Sequence, residues 1–166
     1  MSTAICPGSF DPVTMGHLDI IRRSAKIFDN VVVCVSHNST KSRPMFNVDE
    51  KMEMLEKVIR PFPNVKVDLT VGLLAEFAKK YDDAVLVKGL RAASDFEYEF
   101  QMNLINKRIN PALETMFLTA SEKYTFLSSS VVREMAFYGA DLHGLVPEEI
   151  IGDIEKKAIE WRKLNG

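Results

Sequence analysis

Apolar runs and helical periods alternate along the chain. "TAIC" (Thr3–Cys6) is a short apolar run, followed by a loop rich in Pro and Gly. From His17 to about Phe28, Leu18, Ile20, Ile21, Ala25 and Phe28 recur at the spacing of an amphipathic helix. "VVVCVS" (Val31–Ser36) is a continuous β-branched run, the pattern of a strand buried on both faces. The polar stretch "HNSTKSRPMF" reads as a loop. Asn47 then resembles an N-cap with Glu50 as its capping-box partner, and Val48, Met52, Leu55 and Ile59 form the helical stripe behind it. "RPFPN" ends that helix, because proline cannot continue one. "VKVDL" (Val65–Leu69) alternates as a strand, Leu73–Lys80 reads as a helix, and "AVLVKG" (Ala84–Gly89) as another buried strand. Ser94 and Glu97 repeat the capping-box pattern ahead of a helix to about Ile109. After Pro111, "ETMFLTA" is the fifth strand candidate. A helix is expected from about Ser129 to Tyr138, stopped by Gly139. Pro147 suits the first turn of a last helix, whose acidic start and basic end match its dipole.

Five strands alternating with helices predict an α/β fold: a doubly wound, five-stranded parallel sheet, Rossmann-like, with right-handed crossovers. The length of 166 residues suits a single domain over 1–166, with its C-terminal helix from about 147. In such a sheet, ligands bind beyond the carboxyl ends of the strands, where strand order reverses. The loops that follow strands are therefore the places to look for chemistry.

Composition narrows the picture. With 21 Lys and Arg against 23 Asp and Glu, the formal net charge is −2, so no global basic field points to nucleic acid. No run approaches a membrane span, and no signal peptide is evident at the N-terminus. Cys6 and Cys34 form no C-x-x-C pair or metal-ligand spacing and read as buried reduced thiols of a cytoplasmic protein.

Against that slightly acidic background, four strand-end loops carry equipment for an anion. In "CPGSFDPVTMGHLDI", Pro7 and Gly8 allow a sharp turn after the first strand, and His17 falls at a helix N-terminus, which favours anions. The loop after strand two holds Lys41 and Arg43. "VKGLRAASDFEYE" sets Lys88 and Arg91 around Gly89 before a helix start, a plausible phosphate clamp. "LSSSVVRE" offers three serines where N-capping needs one. Neither G-x-G-x-x-G nor G-x-x-x-x-G-K-[ST] occurs, so the two commonest phosphate loops are absent.

Three of these motifs carry a resemblance. "PGSFDPVTMGHLDII" resembles the opening motif of the nucleotidylyltransferase superfamily, whose H-x-G-H or T-x-G-H element here reads Thr14-Met15-Gly16-His17. "SSSVVRE" resembles its S-S-S/T-x-x-R element, closed by Arg133. Within the superfamily, "KGLRAASDFEYEFQMNLINK" and "FLSSSVVRE" are similar to the bacterial phosphopantetheine adenylyltransferases, over essentially the whole chain.

The resemblance implies transfer of the adenylyl group of ATP to 4′-phosphopantetheine, giving dephospho-coenzyme A and pyrophosphate, with Mg²⁺ accompanying ATP. It implies that Ser9 and Phe10 touch ATP, Ser9 lying near the acceptor as well, and that His17 contacts the phosphates and stabilises the transition state. Lys41 would hold the acceptor phosphate and the reacting α-phosphate, and Leu74 would line the pantetheine arm. Gly89, Leu90, Arg91, Glu99, and the stretch Tyr124, Thr125, Phe126, Leu127, Ser128, Ser129 and Ser130 would bind ATP. Lys88, expected on the acceptor phosphate, stands where the family often has Arg. "KSRP" makes both Lys41 and Arg43 eligible for the lysine's role, Lys41 fitting better by its distance from strand two.

The helix from Ser94 to Ile109 is apolar on more than one face, which suits either a deep core helix or an interface. The resemblance implies a homohexamer, and so an interface. Two other readings stay open on sequence: another small-molecule nucleotidylyltransferase, or a non-catalytic nucleotide-binding module.

Overall fold

Five parallel strands are arranged in the order β3-β2-β1-β4-β5, in a computed structural model that describes residues 1–37 and 43–165. They are β1 (Thr3–Gly8), β2 (Asn30–His37), β3 (Val65–Val71), β4 (Ala84–Leu90) and β5 (Glu114–Thr119). Helices α1 (Met15–Ile27), α2 (Val48–Ile59), α3 (Leu74–Ala78), α4 (Ala93–Ile109), α5 (Ser129–Phe137) and α6 (Ile151–Asn165) join and cover them. Short 3₁₀ turns, Glu122–Tyr124 and Glu148–Ile150, precede α5 and α6.

The period of two along each strand divides the core between the faces. Ala4, Cys6, Val31, Val33, Val35 and Val87 pack on one side with residues of α1, α2, α5 and α6. Ile5, Val32, Cys34 and Leu86 pack on the other with Ala75, Phe77 and Ala78 of α3 and Ile109 of α4. Burial on both faces is why these strands read as continuous apolar runs. Both cysteines are buried and free, and burial pushes the Cys6 thiol up to about 11 and the Cys34 thiol up to about 12. The chain steps outward from β1 through β2 to β3 along one face. It then crosses over by α3 on the opposite face and returns to β4 beside β1. Strand order thus reverses between β1 and β4.

Local sequence accounts for most boundaries. The capping box at Asn47 forms as its residues predict: Glu50 N–H donates to Asn47 Oδ1 (2.9 Å) and Asn47 N–H to Glu50 Oε2 (2.7 Å). The expected Ser94–Glu97 box does not form, because α4 starts earlier. Ala92 is its N-cap, with no side-chain cap bond, and Asp95 instead accepts from the Arg91 amide. Helix α3 is shorter than predicted and β3 runs on to Val71. The deep-core reading of α4 also fails: Asn106 is its only buried residue, whereas Phe96, Tyr98, Phe100, Leu104 and Ile105 are exposed.

Gly139 stops α5 as expected. It adopts φ +70°, its amide donates to the Ala136 carbonyl (3.1 Å), and the Ala140 amide donates to that of Met135 (2.9 Å). That is the Schellman arrangement, which requires a left-handed residue at this point. Gly139→Ala is expected to cost about 1 kcal/mol, read as a lower urea midpoint with an unchanged slope.

Candidate active site

The loops that leave β1, β4 and β5 are joined at the rim where strand order reverses. Arg91, in the turn after β4, donates from Nη1 to the Leu127 carbonyl ahead of α5 (2.9 Å). Ser129 Oγ donates to the Pro12 carbonyl in the β1–α1 loop (2.7 Å). Arg133 of α5 donates to the Asp11 carbonyl in the same loop (2.7 Å). On α1, the buried Asp19 carboxylate accepts from Ser121 Oγ (2.6 Å), Arg22 (2.7 Å) and Arg23 (3.3 Å). Burial would raise its pKa, but these hydrogen bonds outweigh that and hold it below the usual carboxylate value.

His17 is the third residue of α1 and shares a reciprocal cap with Thr14. The His17 amide donates to Thr14 Oγ1 (3.3 Å), and the Thr14 amide donates to His17 Nδ1 (3.0 Å). A ring nitrogen that accepts from a backbone N–H carries no proton. The ring proton therefore lies on Nε2, and the imidazole is a neutral donor. Burial, aided by the nearby Arg91 charge, lowers the His17 pKa to about 4. The Phe10 ring meets the imidazole edge to face, with centroids 5.0 Å apart.

Phe10 itself is buried and has φ +46°, a left-handed conformation that is costly for an aromatic residue. Its ring lies so close to Gly8 that a Cβ there would come within 3.0 Å of it. Ser9, between them, is exposed.

The other expected residues fall into two groups. Lys88 and Gly89 end β4 with Leu90, and Lys88 forms an ion pair with Glu99 of α4. Arg91 is held by Asp95 through its amide (3.2 Å) and Nε (3.3 Å). The two cations of the expected clamp are thus already paired with carboxylates. Tyr124 and Leu127 are buried beneath the rim, whereas Thr125 and Phe126 are exposed on it. Ser128 caps α5 through Val131 N–H (3.2 Å), and Ser130 Oγ accepts from Arg133 (3.1 Å), so the three serine hydroxyls are all engaged. What the turn can offer an anion is backbone: the Ser129 and Ser130 amides lie in the first turn of α5, which has no helical acceptor for them. Leu74 begins α3 and packs with the cluster on the opposite face, away from Phe10, Tyr124 and Leu127. Lys41 lies outside the described residues, and Arg43 is exposed.

Sequence reading passed over Asp11, and it placed Thr14 in the T-x-G-H element without seeing its role as the α1 cap. Thr14 had a legible signal, a Thr three residues before His17 at a helix start. Asp11 had none, because its partners lie more than thirty positions away.

A profile of the cytidylyltransferase-like family matches residues 5–135. A solved Vibrio parahaemolyticus structure, assigned provisionally as a nicotinate-nucleotide adenylyltransferase, superposes with a TM-score of 0.68. It covers 95% of this chain and 96% of its own at 19% identity, and so supports the fold alone. The chain belongs to the cytidylyltransferase-like nucleotidyltransferases. Phosphopantetheine adenylyltransferase of Clostridium kluyveri is 54% identical over 157 residues, 95% of each chain. That of Caldanaerobacter subterraneus subspecies tengcongensis is 51% identical over 95% of this chain and 98% of its own. Within the class, the chain is a member of the phosphopantetheine adenylyltransferase family.

The depressed His17 pKa has a definite sign in stability. Unfolded, this histidine takes a proton near 6.5; folded, it resists until about 4. Between those values the unfolded state binds more protons, so His17 lowers stability as pH falls from about 6.5 to about 4 and adds nothing further below that. Exchange of the His17 C2 proton, followed by mass spectrometry, is expected to give a midpoint near 4. In His17→Gln, the fall of stability across that window should be shallower.

Proposed function

We infer that this chain transfers the adenylyl group of ATP to 4′-phosphopantetheine, forming dephospho-coenzyme A and pyrophosphate. The observation that carries the reading is near-full-length identity of 50–54% to several phosphopantetheine adenylyltransferases. The joined loops where strand order reverses are consistent with it.

The reaction needs no protein nucleophile. An oxygen of the acceptor phosphate attacks the α-phosphorus, and the bond to the bridging oxygen of the β-phosphate breaks. Pyrophosphate leaves with that electron pair. Catalysis then consists of alignment and of stabilising charge on the phosphoryl oxygens. In this reading the neutral His17 donates from Nε2 to the phosphates, and Lys41 bridges the acceptor phosphate and the α-phosphate. The Ser129 and Ser130 amides cradle the β- and γ-phosphates. Ser9, Phe10, Gly89, Leu90, Arg91, Glu99 and the stretch 124–128 surround ATP. Lys88 and Leu74 take the phosphate and the arm of phosphopantetheine.

A Mg²⁺ brought by ATP would offset charge on the phosphate oxygens. The rim carboxylates Asp11, Asp95 and Glu99 are each engaged by an amide or a cation. Among the described residues no cluster of three or more His, Cys, Asp or Glu could hold a metal. These residues fit a metal held by phosphate and water. No helix among the described residues is long and apolar enough to cross a membrane, and we place the enzyme in the cytoplasm.

The exposed apolar residues of α4, with Met116 of β5, suit self-association, and the family points to a hexamer. Leu104→Glu is expected to lower the mass measured by light scattering. A mass unchanged by this charge would remove α4 from the interface.

Pyrophosphate release is expected only when ATP and 4′-phosphopantetheine are both present. Release with a pyridine mononucleotide or an alcohol phosphate instead would overturn the substrate assignment. His17→Ala should lower kcat by about 10²–10³-fold, the cost of losing one transition-state donor, with ATP affinity changed only modestly.

A further inference from the structure

The Asp11 carboxylate is buried and joins parts of the chain that are distant in sequence. Its Oδ2 accepts from the Met45 amide (3.0 Å) and its Oδ1 from the Phe46 amide (2.9 Å). Lys51 of α2, itself buried, brings Nζ within 4.0 Å of Oδ1, and Arg133 of α5 brings Nη1 within 3.6 Å of Oδ2. The same Arg133 nitrogen donates to the Asp11 carbonyl (2.7 Å). Asp11 is therefore fixed at its side chain and its backbone at once. Four groups from three separate segments do the fixing.

The residue immediately before it is Phe10. A left-handed aromatic residue persists only where its surroundings over-determine it. Two restraints do so here. On one side the Phe10 ring lies over Gly8 and is buried; on the other the chain is locked at Asp11. With that lock removed, Phe10 can relax to negative φ, and relaxation withdraws its ring from the edge of the His17 imidazole.

We propose that Asp11 is a positioning residue that acts through Phe10 on His17, holding the imidazole in the orientation adenylyl transfer requires. The proposal rests on the reading that His17 works at the phosphates. The Lys51 and Arg133 cations, together with the two amides, keep the carboxylate in place although it is out of water. An uncharged carboxamide of the same shape cannot accept two N–H groups with two oxygens. It must turn an NH₂ group towards one of the amides.

The test is Asp11→Asn in the full-length enzyme. The kcat should fall about a hundredfold, as expected when a catalytic group shifts by about an ångström, while KM for each substrate changes by less than about threefold. Independently of activity, the His17 C2-proton exchange midpoint should rise from about 4 towards its ordinary value, because withdrawal of the Phe10 ring opens the imidazole to water. If Asp11 served stability alone, the folded variant would keep the wild-type midpoint, and its loss of activity would track its unfolded fraction. Either result would overturn the proposal. If the midpoint shifts while the wild-type enzyme makes no dephospho-coenzyme A, the positioning contact stands and the substrate assignment fails. Should Asp11→Asn not fold, Lys51→Met carries the test. It leaves both amide bonds in place and should move the His17 midpoint in the same direction by less. An unchanged midpoint in that variant would likewise overturn the proposal.

Discussion

A parallel sheet whose strand order reverses decides where this protein can do chemistry. Each helix that follows a strand directs its amino end at the strand's carboxyl edge. At the reversal, the chain leaving β1 turns to one face and the chain leaving β4 to the other. The amino ends of α1 and α4 therefore flank one crevice, and α5 is tied to both by side-chain bonds. Helix amino ends favour anions through uncharged amides. A chain of net charge −2 can thus present a polyanion site without a basic surface.

The loops around that crevice are ordered mainly through their carbonyls. Arg91 takes the carbonyl of Leu127, Ser129 that of Pro12, Arg133 that of Asp11, and Arg23 that of Thr119. Each bond fixes a loop without consuming a backbone amide. Where side chains take amides, each takes particular ones: Asp11 those of Met45 and Phe46, Thr14 that of His17, His17 that of Thr14, Asp95 that of Arg91 and Ser128 that of Val131. The division has a physical basis. Guanidinium and hydroxyl groups can donate to carbonyls at a half-wet rim at little cost, whereas amides withheld from such bonds remain as donors for phosphate oxygens.

How much of this is legible in the sequence depends on range. The strands are legible because burial on both faces leaves continuous apolar runs such as Val31–Val35. Asn47 with Glu50, and Gly139, are legible because caps act over three or four residues. The same rule misleads at Ser94 and Glu97: it takes a helix to start at its first good cap, but α4 begins at a residue with no capping side chain. The apolar faces of α4 are legible, yet their exposure is not, since periodicity cannot distinguish a core from a surface that meets another chain. Asp11 is invisible for a different reason. Its partners, the Met45 and Phe46 amides and the Lys51 and Arg133 side chains, all lie more than thirty positions away, beyond the reach of any local pattern.

The ion pairs at the rim bear on how an anion is admitted. Lys88 and Glu99 pair where their side chains are only 16% and 23% exposed, and Arg91 is held by Asp95. On the proposed reading, a phosphate at Lys88 meets an ammonium that already has a carboxylate partner, so its net affinity is set against that existing pair whether it shares the ammonium or exchanges with the carboxylate. In such an exchange a dianionic phosphate would gain more from the ammonium than a singly charged ligand does. The residue type at position 88 suits the exchange. An ammonium is a compact charge on a flexible stem and can swing between partners, while a guanidinium engaged by two parallel bonds gives up both at once. Pairing the cation in advance also avoids leaving an unpartnered charge half out of water, which is costly for the empty protein. The Lys88–Glu99 pair thus leaves neither group as an unpartnered charge at the half-buried rim.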